Sequence, residues 1–115
     1  LVSRLGLVHE NLDSEIFQQI AREMLQTDLK MYHEIMSHLS EHDAGDVLPT
    51  IRVPSLIIAG DQDLMTPVKV AEKMAHDIPN GQLLIIPGGT HYCILEFPEM
   101  INLRVEKFLS ELAPH

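Results

Sequence analysis

Ser55-Leu56-Ile57-Ile58-Ala59 is a short run, apolar after its first residue, closed off by Pro54 on one side and Gly60 on the other. Leu83-Leu84-Ile85-Ile86 repeats the pattern further along the chain. Such a run between breakers reads as a strand buried on both faces, because neither face carries the polar residues that would mark solvent. Between the two runs Val70, Ala71, Met74 and Ile78 recur on one helical face. Thr66-Pro67 suits an N-cap followed by the first helical residue, and Pro79-Asn80-Gly81 ends the helix. Strand, helix and strand in this order make a crossover unit, whose strands run parallel with a right-handed connection. An α/β fold is expected.

The flanks are helical. Leu12, Ile16, Phe17, Ile20 and Met24 predict one amphipathic helix over residues 12–26, and Leu29, Tyr32, Ile35, Met36 and Leu39 a second over 28–40. Asp28 is placed to cap the second helix, while Gly45 and Pro49 limit its length and leave residues 41–54 as a connector. Pro98 suits the first turn of a last helix, lined by Ile101, Val105, Phe108, Leu109 and Leu112. Two segments follow: residues 1–50, helical, and residues 51–115, holding the crossover unit and the last helix. Two parallel strands make a poor sheet on their own, because hydrophobic edges stay open to pairing. Either further strands of the same sheet lie elsewhere in a longer protein, or a second chain completes it. In the latter case the chain is a non-catalytic interaction module that pairs its exposed sheet edge with another copy or another protein, and for the chain by itself a homodimer is expected.

Seventeen acidic against eight basic residues give a formal charge of -9, which repels phosphate backbones and anionic lipid and argues against nucleic-acid and membrane partners. The apolar runs are far shorter than the roughly 20 residues that span a bilayer, and no charged-then-apolar leader is legible, so a soluble, cytoplasmic protein is expected. Cys93, the single cysteine, has no disulfide partner in the chain and cannot build a thiolate zinc cage; buried packing is its expected role. The chain opens on Leu1 and not on methionine, which leads us to expect a processed chain or the interior of a longer parent.

Chemistry concentrates after the two strands, where the carboxyl ends of a parallel sheet present their ligand-binding loops. Gly60-Asp61-Gln62-Asp63 follows the first strand and Gly88-Gly89-Thr90-His91 the second. Asp63 and His91 therefore project from adjacent strand ends. A carboxylate accepting from one imidazole nitrogen fixes the tautomer and leaves the other nitrogen free to take a proton. Asp61 is a rival acid, and a turn carboxylate serving the helix near Pro67 is the alternative role for Asp63.

Val53-Pro54-Ser55-Leu56-Ile57-Ile58-Ala59-Gly60-Asp61-Gln62-Asp63 with Thr66-Pro67, then Ile86-Pro87-Gly88-Gly89-Thr90-His91-Tyr92, Glu96-Phe97-Pro98-Glu99 and Phe108-Leu109, resembles the C-terminal portion of the α/β-hydrolase fold over residues 51–112. The resemblance implies that Asp63 matches the triad acid and His91 the triad base, in the chain order nucleophile, acid, histidine. It implies hydrolysis of ester, lactone, thioester or related carbonyl bonds in small-molecule substrates, without cofactor. Carbon–carbon bond hydrolases, haloalkane dehalogenases and cofactor-free haloperoxidases carry similar segments. By position, residues 1–50 look like the end of the helical cap that many members insert before the acid strand.

The chain departs from the pattern in two ways. Thr90 stands where many members have glycine, and no G-x-S-x-G elbow or histidine-glycine-rich oxyanion segment occurs among the 115 residues. The serines at 14, 37 and 40 fall on predicted helices, where none can act as an elbow. The nucleophile, oxyanion hole and remaining strands are therefore expected before Leu1 in a parent protein. Met24, Met31, Tyr32 and Met36 are candidates for lining an apolar cavity under a cap, although gap-filling in a core is the commoner use of methionine. His33, His38 and His42 raise a metal reading, since His38 and His42 share a helix face. Leu39 follows His38 where the metalloprotease arrangement needs glutamate, so a solvated face and no metal are expected.

Overall fold

A computed structural model describes residues 6–112; residues 1–5 of the expected helical segment and 113–115 of the last segment lie outside the described residues. The element order is α1 (Ser14–Met24), α2 (Leu29–Glu41), a 3₁₀ turn (Leu48–Thr50), β1 (Ser55–Gly60), α3 (Val68–Asp77), β2 (Gly81–Ile86), α4 (Cys93–Glu96) and α5 (Pro98–Leu112). β1 and β2 pair in parallel, from Ser55 opposite Gly81 to Gly60 opposite Ile86, so both strands end at one level. α3 supplies the crossover and packs against both strands.

Side chains alternate along a strand. Ile58, Leu84 and Ile86 accordingly share one face, where they pack with Ile101 and Val105 of α5, Phe97 and Cys93. Ile86 is fully buried, a burial that contributes about 1.5–3 kcal/mol. The strands differ from expectation in one respect: residues 55–59 of β1 and 81–84 of β2 are only half-buried, because two strands leave an open edge on each side.

Local signals place the helices with small shifts. Asp13 caps α1 by accepting from the Glu15 and Ile16 amides, and Asp28 caps α2 through the Lys30 and Met31 amides. The expected cap of α3 moves by one residue. Pro67 takes the N-cap position without a side-chain bond, and Thr66 turns its hydroxyl elsewhere. The single-turn α4 has no counterpart in the periodicity, because four residues are too few to show a helical repeat.

Burial divides the chain. On α5, Ile101 and Phe108 are buried as expected, but Leu109 and Leu112 are exposed; on α3, Ala71 is buried while Val70 is exposed, and Ile78, just past its end, is buried. α1 and α2 bury no residue at all. Core packing for Met24, Met31, Tyr32 and Met36 is thus corrected: all four are exposed, since among the described residues no layer lies over those helices. The radius of gyration of 16.3 Å exceeds the about 13 Å of a compact domain of this length. No described helix is long and apolar enough to cross a membrane.

Gly60 is where backbone crowding is most severe. A Cβ there would lie 2.1 Å from the Gly89 carbonyl oxygen, so the β1 and β2 loops touch only because residue 60 has no side chain. Gly60→Ala is expected to destabilise the chain by about 3 kcal/mol, the upper end of the usual cost of overpacking. Chemical unfolding followed by circular dichroism checks this, and an unchanged midpoint would refute the crowding argument.

Candidate active site

The loops after β1 and β2 are bound to each other before any side chain is considered. The Asp61 amide donates to the Ile86 carbonyl at 3.2 Å and the Gln62 amide to the Gly89 carbonyl at 2.9 Å. Asp61 adds a side-chain tie: its Oδ1 accepts from the Gly88 amide at 2.8 Å, and Gly88 turns with φ +75°. Asp61 is therefore engaged in loop bracing, while the histidine belongs to Asp63.

Asp63 Oδ2 lies 2.9 Å from His91 Nδ1, with the carboxylate side chain 6% exposed and the imidazole 39% exposed. Oδ2 also accepts from the Thr66 hydroxyl at 2.7 Å, and Oδ1 accepts from the Met65 and Thr66 amides at 2.8 and 2.9 Å. Asp63 therefore makes the turn contacts and the histidine contact together. Oδ1 closes the turn into α3, and Oδ2 meets the histidine. Partial burial by itself raises the Asp63 pKa, but the Thr66 amide, the Thr66 hydroxyl, His91 and the Met65 amide together outweigh it and bring the value from 3.8 to about 2.

An ionised carboxylate only accepts, so the proton between the two residues sits on His91 Nδ1. Nε2 is then the basic nitrogen, and among the described residues it has no hydrogen-bond partner. Thr66 Oγ1 stands 3.3 Å from Nδ1 but gives its own proton to Asp63. A cleft of about 300 Å³ opens here, running along β1 past Ile57, Ala59, Val70 and Met74 to Asp63 and His91. The cleft is apolar along the strand and polar at its Asp63–His91 end.

The backbone around His91 is held by Glu96, a partner that sequence reasoning missed. Glu96 is 3% exposed; its Oε2 accepts from the Thr90 amide at 2.8 Å, and its Oε1 from the Thr90 hydroxyl at 2.6 Å and the His9 amide at 2.7 Å. Its signals were the carboxylate between Leu95 and Phe97 and its place in the Glu96-Phe97-Pro98-Glu99 segment of the resemblance, to which no role was attached. Thr90 is thus no idle departure from glycine, because its hydroxyl is used.

Cys93 is buried, and burial together with the charges of Glu96 and Asp63 raises its thiol pKa, so it is a packed thiol and no thiolate nucleophile. His42 ends α2 as its C-cap, and His38 lies in the last turn. Among the described residues no three histidine, cysteine, aspartate or glutamate side chains are grouped to hold a metal. Met24 and Tyr32 line an apolar groove of about 500 Å³ where α1 meets α2, and Met31 and Met36 do not. α1 approaches the histidine loop through Phe17, whose ring meets Tyr92 edge-on at 6.2 Å.

A parallel crossover unit with an aspartate–histidine pair at its strand ends defines an α/β protein with the arrangement that the sequence resemblance implies. The sequence profile of the alpha/beta hydrolase fold matches residues 6–98, and the chain belongs to that family. It is 38% identical over 72 residues to a protein of Caulobacter sp. (strain K31) named as a carbamate hydrolase, RutD, covering 63% of this chain and 27% of that one. Among solved structures it superposes on a thermophilic esterase from Thermogutta terrifontis with a TM-score of 0.60 and 30% identity, over 63% of this chain and 26% of the esterase. It also superposes on CarC, a serine hydrolase involved in carbazole degradation, with a TM-score of 0.73 and 26% identity, over 91% of this chain and 43% of CarC. These three relatives carry hydrolase or esterase names, another, from Synechocystis, is named as a non-heme chloroperoxidase, and the chain spans about a quarter of the length of the first curated ones it matches.

The Asp63 geometry has a measurable consequence for stability. Its folded pKa lies below the ordinary value, so its contribution is present above pH 3.8 and is lost as pH falls toward about 2. The loss is expected to be about 2 kcal/mol by proton linkage. Urea unfolding across that interval should cost wild type about this much more than Asp63→Asn; equal losses in the two proteins would show that the carboxylate is not stabilised as described.

Proposed function

We propose that this chain is the C-terminal portion of a hydrolase acting on ester or related carbonyl bonds, in which Asp63 and His91 are the acid and base of a catalytic triad. The observation that carries this reading is the 2.9 Å bond from His91 Nδ1 to an ionised, largely buried Asp63. A hydroxyl nucleophile, first of all serine, comes from another part of the whole protein. His91 Nε2 removes its proton as the oxygen attacks the carbonyl carbon, and Asp63 stabilises the imidazolium that forms. The imidazolium passes that proton to the leaving group as its bond to carbon breaks. Water, deprotonated by the same nitrogen, then releases the acid and restores the nucleophile. No cofactor enters this reaction, and no nucleic-acid or membrane partner is part of it.

Residues 1–50 act in this proposal as the end of a cap, and 51–115 as part of the catalytic core. The Phe17–Tyr92 contact beside His91 supports that division, as does the apolar groove holding Met24 and Tyr32. The same reading takes the enzyme to be cytoplasmic.

The test uses the full-length protein with a p-nitrophenyl ester. His91→Ala and Asp63→Asn are each expected to lower kcat by about 10³- to 10⁴-fold, and the 115-residue chain alone to show no His91-dependent turnover. Full activity in either full-length variant would overturn the reading.

The free edge of β1, bordered by the 300 Å³ cleft, favours one second reading, in which the chain pairs that edge with another copy. Sedimentation of the isolated chain would then give a dimer, and a single 13.0 kDa species would exclude it.

A further inference from the structure

We infer that Glu96 is a positioning residue for His91, acting through Thr90; the inference rests on the proposed roles of Asp63 and His91. A carboxylate that is 3% exposed is costly to bury without compensation, and its three short contacts at 2.6–2.8 Å are all hydrogen-bond donors, none of them a cation. An acceptor-only group is what such a pocket requires.

The donors are placed so that satisfying Glu96 immobilises the residue before the base. Thr90 gives Glu96 both its amide and its hydroxyl; that hydroxyl oxygen in turn accepts from the Tyr92 amide at 3.3 Å. The Thr90 carbonyl accepts from the Cys93 amide at 3.0 Å. The backbone on both sides of His91 is therefore tied to one buried group, leaving the imidazole its side-chain torsions and the pull of Asp63. The third donor, the His9 amide, comes from the segment preceding α1 and keeps Oε1 facing Thr90. Catalytic groups must hold their geometry within about 0.5 Å, and a pinned backbone serves that end.

Glu96→Gln keeps the shape but turns an amide NH₂ toward one of three donors, and Thr90→Val removes the hydroxyl while keeping the Thr90 amide bond. In the full-length protein, kcat and KM for a p-nitrophenyl ester are measured beside the His91 Nδ1–H resonance in nitrogen-edited NMR. Both variants are expected to lower kcat by roughly 10- to 100-fold with KM changed less than about twofold, and to weaken or lose that resonance while the protein remains folded. Thr90→Ser, which restores the hydroxyl, recovers most of the rate lost in Thr90→Val. Unchanged kcat and an unchanged Nδ1–H signal in folded variants would overturn the inference. If Glu96→Gln does not fold, the Val and Ser pair at position 90 decides. Asp63→Asn in the same assay separates the two claims: if it retains full rate the acid–base reading fails, whereas the NMR comparison still reports whether Glu96 orients His91.

Discussion

Parallel pairing of β1 with β2 is the constraint on which everything else rests. With Gly60 opposite Ile86, both strands stop at one level, and the loops that leave them start side by side. Their separation is then set by backbone contact, because the Gly60 Cα lies against the Gly89–Thr90 backbone with no room for a Cβ. Shifting one strand by a residue would break the Asp61–Ile86 and Gln62–Gly89 bonds together and separate Asp63 from His91.

Within that frame three carboxylates lie close in sequence to the two loops and are sorted by what donates to them. Asp61 braces the turn at Gly88, Asp63 divides its oxygens between the α3 turn and His91, and Glu96 holds the residue before His91. Chemistry that depends on proton transfer needs one carboxylate kept ionised next to the imidazole and the others occupied elsewhere. At Asp63 the Thr66 amide and hydroxyl, His91 and the Met65 amide favour the ionised carboxylate.

Outside the crossover unit the balance between apolar surface and cover changes. Leu25, Leu29, Met31, Ile35 and Leu39 of the α1–α2 region are all exposed, an amount of apolar surface that a soluble monomer rarely leaves open. The chain spans only part of each relative's length, and its strands stay half-buried beside these open helical faces.

The crossover unit, its flanking helices and the loop positions of Asp63 and His91 were legible from residues 12–112 because their signals are local. Apolar runs between Pro54 and Gly60, the helical spacing of Ala71 and Ile78, and the Asp28 cap each act within a few residues of chain. Choosing Asp63 over Asp61 needed the family resemblance, since both follow the same strand. Tertiary structure alone decided that Thr66 donates to Asp63 and does not cap α3, that Thr90 and His9 converge on Glu96, and which apolar residues are covered. Periodicity and capping report the nearest turns of backbone; a hydrogen-bond partner or a burial state depends on which distant segments meet in space, and His9 stands 87 residues from Glu96.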